Sequence, residues 1–170
     1  MTTIVDHKER IIRGTYEPIF YNRLRNKYNK RSAFRLRANE NGVSVIRLEY
    51  INIHGCKKYL KFFENDKLKF HGVGILKIDN LIECAVGSCK IEVLYKPRID
   101  EPKLPEHAEI FFYLDGTHFI AQENKELPPD INSTIDKILK IVTFYEDEDK
   151  SHDDWTGEKI SPDSLYVESI

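Results

Sequence analysis

No stretch of this chain approaches the roughly 20 consecutive apolar residues that a membrane-crossing helix needs, so a membrane partner is not expected. The opening residues, MTTIVDHKER, turn charged at Asp6 and lack the apolar centre of a secretory signal. Cysteine is scarce, and its count of three is odd, which argues against a disulfide framework. A reducing, cytoplasmic setting follows as the expectation. Internal repeats and low-complexity linkers are lacking too, and a chain of 170 residues with 41% hydrophobic content is long enough to bury a core of its own.

The familiar chemical signatures are equally scarce. There is no Walker loop, no Gly-x-Gly-x-x-Gly, and no Gly-x-Ser-x-Gly elbow around Ser44. Gly72-Val73-Gly74 is too short to cradle a phosphate. His107-Ala108-Glu109 has the His-x-Glu spacing of zinc nucleobase deaminases, but those enzymes take their other ligands from a downstream Pro-Cys-x-x-Cys. Here Cys56, Cys84 and Cys89 all precede His107, so that chemistry is excluded. His54, Cys56, Cys84 and Cys89 make a poor zinc set, because a single residue separates the first two. No cofactor is expected.

What the chain has in quantity is charge, unevenly placed. Up to Lys61 there are 14 Lys/Arg against 5 Asp/Glu; from Phe62 onward there are 12 against 23. Such asymmetry points to a nucleic-acid or other anionic partner, or to two halves that neutralise each other within one fold. The densest basic stretch is Lys30–Tyr50, KRSAFRLRANENGVSVIRLEY, with four arginines and two glutamates. It reads as two short strands around a polar turn. Ser32–Arg37 would put Ala33, Arg35 and Arg37 on one side. Ala38–Gly42 would turn, with Gly42 at positive φ. Val43–Tyr50 alternates, with Val43, Val45, Arg47 and Glu49 facing one way. Guanidinium groups suit planar recognition of carboxylate or phosphate, which makes Arg31, Arg35, Arg37 and Arg47 the candidate anion-binding residues. As structural ion pairs with Glu40, Glu49 or the acidic C-terminus they would contribute only about 0–1 kcal/mol each.

Elsewhere, Glu9–Asn29 interleaves Arg10, Arg13, Arg23 and Arg25 with Tyr16, Phe20, Tyr21 and Tyr28, a mixture that can grip phosphates and stack bases. Gly14 and Pro18 argue against a long helix there. Cys56–Phe63 has a helical apolar stripe of Tyr59, Leu60 and Phe63. Val73–Ile78 reads as a buried strand, Asp79 as the cap of a short helix to Glu83, and Lys90–Tyr95 as a strand. Pro97, Pro102 and Pro105 stiffen a surface loop. Glu109–Leu114 precedes an Asp115-Gly116 hairpin turn and a strand from His118 to Ala121. The clearest helix starts after Asn132 or Ser133 and buries Ile135, Ile138, Leu139 and Val142. From Glu146 to Ile170 there are 9 acidic residues and 2 lysines, with Trp155, Leu165 and Tyr166 as apolar anchors.

The expected class is α+β: a central, mostly antiparallel sheet with short helices and one late amphipathic helix. The expected organisation is one domain over residues 1–145 and an acidic tail over 146–170. SAFRLRANENGVSVIRLE together with PEHAEI at Pro105–Ile110 resembles a family of small bacterial proteins of unknown function, over roughly Ser32 to Ile110. The resemblance implies no activity; it implies that Arg35, Glu40, Ser44, Glu49, His107 and Glu109 sit in the family's recognisable blocks.

Two functional expectations stand. One is a regulatory, accessory or immunity-type module that binds an anionic protein or nucleic-acid partner through its arginine-rich strands, with the acidic tail covering that face or engaging a second partner. The other is an enzyme acting on a nucleotide or phosphate-bearing substrate. In it Arg35, Arg37 and Arg47 clamp the anion while His107, Glu109 and Glu49 supply acid–base catalysis.

Overall fold

In the computed structural model, which describes residues 3–155 except residue 52 (together with the side chains of residues 53 and 54), the central strand carries apolar residues toward both faces of a sheet. This strand, β1 (Arg10–Glu17), sends Ile11 into one core and Ile12 into the other. The chain continues through a small hairpin, β2 (Tyr21–Asn22) and β3 (Lys27–Tyr28), then β4 (Val43–Arg47), α1 (Ile53–Lys61), β5 (Lys69–Lys77) and α2 (Ile78–Glu83). After these come β6 (Cys89–Tyr95), β7 (His107–Leu114), β8 (Thr117–His118), α3 (Pro129–Ile141) and β9 (Thr143–Glu146). The main sheet runs β6-β7-β4-β1-β5-β9, with β8 on β7, and every pairing is antiparallel. The fold is α+β.

Helices lie on both sides of the sheet. Ile78 and Leu81 of α2 and Ile131, Ile135 and Ile138 of α3 pack with Ile11, Val45, Ile91 and Phe112 on one face. On the other, Cys56 and Leu60 of α1 pack with Ile12, Ile46, Val73 and Leu104. Cys56 therefore belongs to one core, and Cys84 and Cys89 to the other. Among the described residues no helix is long and apolar enough to cross a membrane.

Several local expectations change. Ser32–Arg37 is not a strand: Lys30–Phe34 forms a 3₁₀ turn, because Ala33 and Phe34 are buried in succession and the Ser32 hydroxyl donates to the Asn29 carbonyl. In the following turn, Asn39 takes the positive φ of 64°. Gly42 is needed for another reason: a Cβ there would lie 2.4 Å from the Ile110 carbonyl oxygen of β7. β4 ends at Arg47, and Leu48–Tyr50 is a second 3₁₀ turn. α3 begins at Pro129, earlier than its apolar periodicity suggests, since proline at N1 lacks only an N–H that would go unpaired. β8 stops at His118. The proline loop is not wholly superficial, for Leu104 is buried and exchanges both backbone hydrogen bonds with Arg98.

The acidic C-terminal segment enters the body of the protein. Glu146 completes β9, and Asp147 is fully buried with its carboxylate 2.7 Å from the fully buried ammonium of Lys57. Lys57 also donates to the carbonyls of Asp149 and Asp154, and Lys61 to those of Lys150 and His152. Trp155 meets Phe70 edge-on. The segment thus lies along α1; Leu165 and Tyr166 fall outside the described residues.

Candidate functional site

The site begins where two neighbouring strands part. β1 and β4 pair only at Ile11↔Arg47 and Ile12↔Ile46. Beyond that point the Arg13 guanidinium reaches across the seam, donating from Nη1 to the Ser44 carbonyl and from Nε to the Ala33 carbonyl, each at 2.8 Å. The opening is a cavity of about 710 Å³. Its walls come from β1, β4, β7, the 3₁₀ turn, the Arg37–Gly42 loop, the end of α1 and the Arg98 loop.

These walls are held in place by identifiable contacts. The Arg37–Gly42 loop is pinned by the Asn39 N–H on the Ala121 carbonyl, at 3.0 Å, and by His118 Nε2 donating to the Asn41 carbonyl, at 2.6 Å. His118 in turn stacks flat on Phe111. Opposite, the Tyr16 hydroxyl donates to the Leu60 carbonyl at 2.9 Å, tying β1 to the end of α1. Burial pushes the Tyr16 phenol well above its ordinary pKa, so it stays a neutral donor. Gly14 leaves room for Leu60, whose Cδ2 would stand 2.7 Å from a Cβ there.

Four guanidinium groups, from Arg13, Arg35, Arg37 and Arg98, line the cavity among the described residues, with two carboxylates, Glu40 and Glu109. Arg37 lies 3.8 Å from Glu40. No carboxylate of the described residues is within ion-pairing distance of Arg13 or Arg35. Among the described residues the half-buried Arg13 guanidinium hydrogen-bonds to two neutral carbonyls, and the charges of Glu40 and Arg37 act on it only through space. Burial pulls its pKa down, yet a guanidinium stays charged, with both Nη2 hydrogens and one on Nη1 unspent.

His107 also lines the cavity, 6% exposed. Its Nδ1 is 2.5 Å from the Lys96 carbonyl, an acceptor, so Nδ1 carries the proton and Nε2 the lone pair. Burial lowers the His107 pKa, aided by the charges of Arg98 and Arg13 and opposed by the Lys96 bond and Glu109. Glu109 follows two residues on, on the same side of β7, and Ser44 stands opposite it across the ladder.

Of the residues singled out in the sequence, Arg35, Arg37, His107 and Glu109 thus meet in one cavity, with Glu40 and Ser44. Arg31, Arg47 and Glu49 do not line it. Arg31 is bonded to Asp136 and Asn132 of α3. Arg47 makes a two-pronged pair with Glu9, at 2.8 and 2.7 Å, beneath the Tyr50 and Tyr95 rings. Glu49 binds Arg10. Arg13 and Tyr16 had been visible only as part of a basic, aromatic stretch. Arg98 had no signal of its own, because a loop closed by the burial of Leu104 is what brings it here. The described acidic segment engages Lys57 and Lys61, and none of its residues lines the cavity.

Comparison with protein-family models, curated proteins and solved structures finds no match to this chain.

Proposed function

We propose that this chain binds a phosphate-bearing small molecule in the seam between β1 and β4. The observation that carries the reading is Arg13, a half-buried cation with no carboxylate partner among the described residues, at the base of a cavity whose lining is positive in balance. A desolvated charge without a counter-ion is costly, and an incoming anion removes that cost while accepting two-pronged hydrogen bonds. The cavity volume falls within the range of small-ligand pockets. Tyr59 and Phe63, set edge to face with the Arg98 guanidinium 5.8 Å from the Phe63 ring centre, give a partly aromatic wall. A concave site of this kind favours an enclosed ligand over a macromolecule laid on a flat arginine face. Isothermal titration with adenosine monophosphate tests it: Arg13→Lys and Arg37→Ala each weaken binding by about tenfold, the worth of one charge-assisted hydrogen bond. Equal affinity for wild type and both variants contradicts the reading.

One observation favours an enzymatic extension. The neutral His107, its tautomer set by the Lys96 carbonyl, offers Nε2 as a general base beside Glu109. Turnover of a phosphate ester that is lost in His107→Gln while binding persists supports it; turnover retained in that variant removes it.

A further inference from the structure

A second cavity, of about 700 Å³, adjoins the first, and the two share Ile19, Ser32 and Arg35 as a common wall. Arg35 is exposed, and among the described residues its guanidinium has no hydrogen bond or ion pair. It is therefore a free cation on the saddle between two spaces, each within the range that holds a drug-sized group. Their linings differ. The first offers the rings of Tyr59 and Phe63; the second offers the amides of Gln122 and Asn124, the carboxylate of Glu123 and the ammonium of Lys125, all exposed, over Leu36 and Ile135.

We infer that the ligand is a phosphate-bridged dinucleotide unit, its bridging phosphate on Arg35 at the side of the first cavity that Arg13 also lines, and one nucleoside in each cavity. The inference rests on the phosphate-binding reading above. An anion at the junction of two open clefts calls for a ligand charged at its middle and organic at both ends. A phosphate between two nucleosides meets that description, whereas a mononucleotide leaves one cavity empty. The base in the first cavity stacks on an aromatic wall, and that in the second presents its hydrogen-bonding edge to side-chain amides, which match base edges in two-pronged fashion. Such a unit occurs as a free dinucleotide and as a segment of a single strand, and both carry the same chemistry.

Calorimetric titration of the full chain with adenosine monophosphate, adenylyl-(3′→5′)-adenosine (ApA) and a longer adenosine single strand tests this. ApA binds at least about tenfold more tightly than the mononucleotide. Arg35→Ala removes that advantage. So does a Gln122→Ala/Lys125→Ala double variant, which leaves mononucleotide affinity unchanged; all three side chains are exposed and without described side-chain contacts, so folding is retained. A longer strand that binds more tightly than ApA assigns the unit to single-stranded nucleic acid, and the reverse order assigns it to a free dinucleotide. Equal affinity for mononucleotide and ApA, or an ApA advantage that survives both variants, overturns the two-cavity inference while the phosphate reading stands. Failure of the wild-type chain to bind either compound overturns both.

Discussion

Glu17 shows at a single residue how charge is committed in this molecule. Burial works to raise its pKa, but hydrogen bonds from Arg23, Lys150 and His71 prevail and hold the carboxyl at about 2. A depressed carboxylate contributes stability that is present above its unfolded value, near 4.5, and is lost as pH falls through the folded one. The acid limb of the stability curve between roughly pH 4.5 and 2 therefore steepens on account of this group. Glu17→Gln, followed by urea unfolding, costs on the order of 2 kcal/mol at neutral pH and flattens that limb. The His107 pKa is lowered too, but in a base this favours the uncharged form. Its lowered pKa keeps the neutral ring favoured, so proton NMR should show it titrating below exposed histidines; a normal midpoint would mean the ring is not desolvated. Arg13 contrasts with Glu17, for it is a buried-side charge left with carbonyls alone. On the phosphate-binding proposal, that imbalance is what the ligand relieves.

Among the elements, α1 is the one whose position depends on chain far away. Lys57 and Asp147, both without solvent exposure, join it to the segment after β9. Lys57→Met removes the buried ammonium from the Asp147 carboxylate and costs about 3–5 kcal/mol, whereas adding Asp147→Leu restores part of the loss. Urea midpoints measure both, and a single variant as stable as wild type would contradict the pairing. Gly42→Ala drives a Cβ against the Ile110 carbonyl, an atom fixed in the ladder. It destabilises by about 2 kcal/mol or more, read as a shifted thermal midpoint. These two cases also mark what the sequence disclosed. β6, β7 and the alternation of Val43–Arg47 were legible from their apolar positions, and β5, buried on both faces, from the apolar run that begins at Val73. β1 was not, since Ile11 and Ile12 go to opposite cores and erase the alternation that marks a half-buried strand. Ser32–Arg37 alternates as a strand does, yet folds as a 3₁₀ turn once Phe34 is claimed by the core. A lysine in helix α1 and an aspartate in an acidic run carry no local sign that they will meet inside the protein.

Across the whole molecule, the lopsided charge of the sequence is resolved into three kinds of contact. Some basic residues pair within the body, as Arg47 does with Glu9, Arg31 with Asp136 and Arg10 with Glu49. Lys57 and Lys61 engage the acidic segment after β9. Arg13, Arg35, Arg37 and Arg98 remain around one opening in the sheet. Half of the arginines picked from the sequence lie there because the 3₁₀ turn and its loop, not a strand face, deliver them. The others were already committed to neighbours that no spacing rule reveals. Exposed guanidinium groups at such a mouth attract anions over about a Debye length, so the ligand's on-rate should fall steeply with added salt. Stopped-flow association at low and high ionic strength measures it, and a salt-independent rate would remove electrostatic capture.

Crystallising the chain with ApA gives the most direct test. The bridging phosphate is expected on Arg35, within hydrogen-bonding distance of its guanidinium, with Arg13 facing the same ligand from the base of the seam. Electron density for the nucleotide elsewhere on the surface, with Glu40 swung in to neutralise Arg13, would contradict the account.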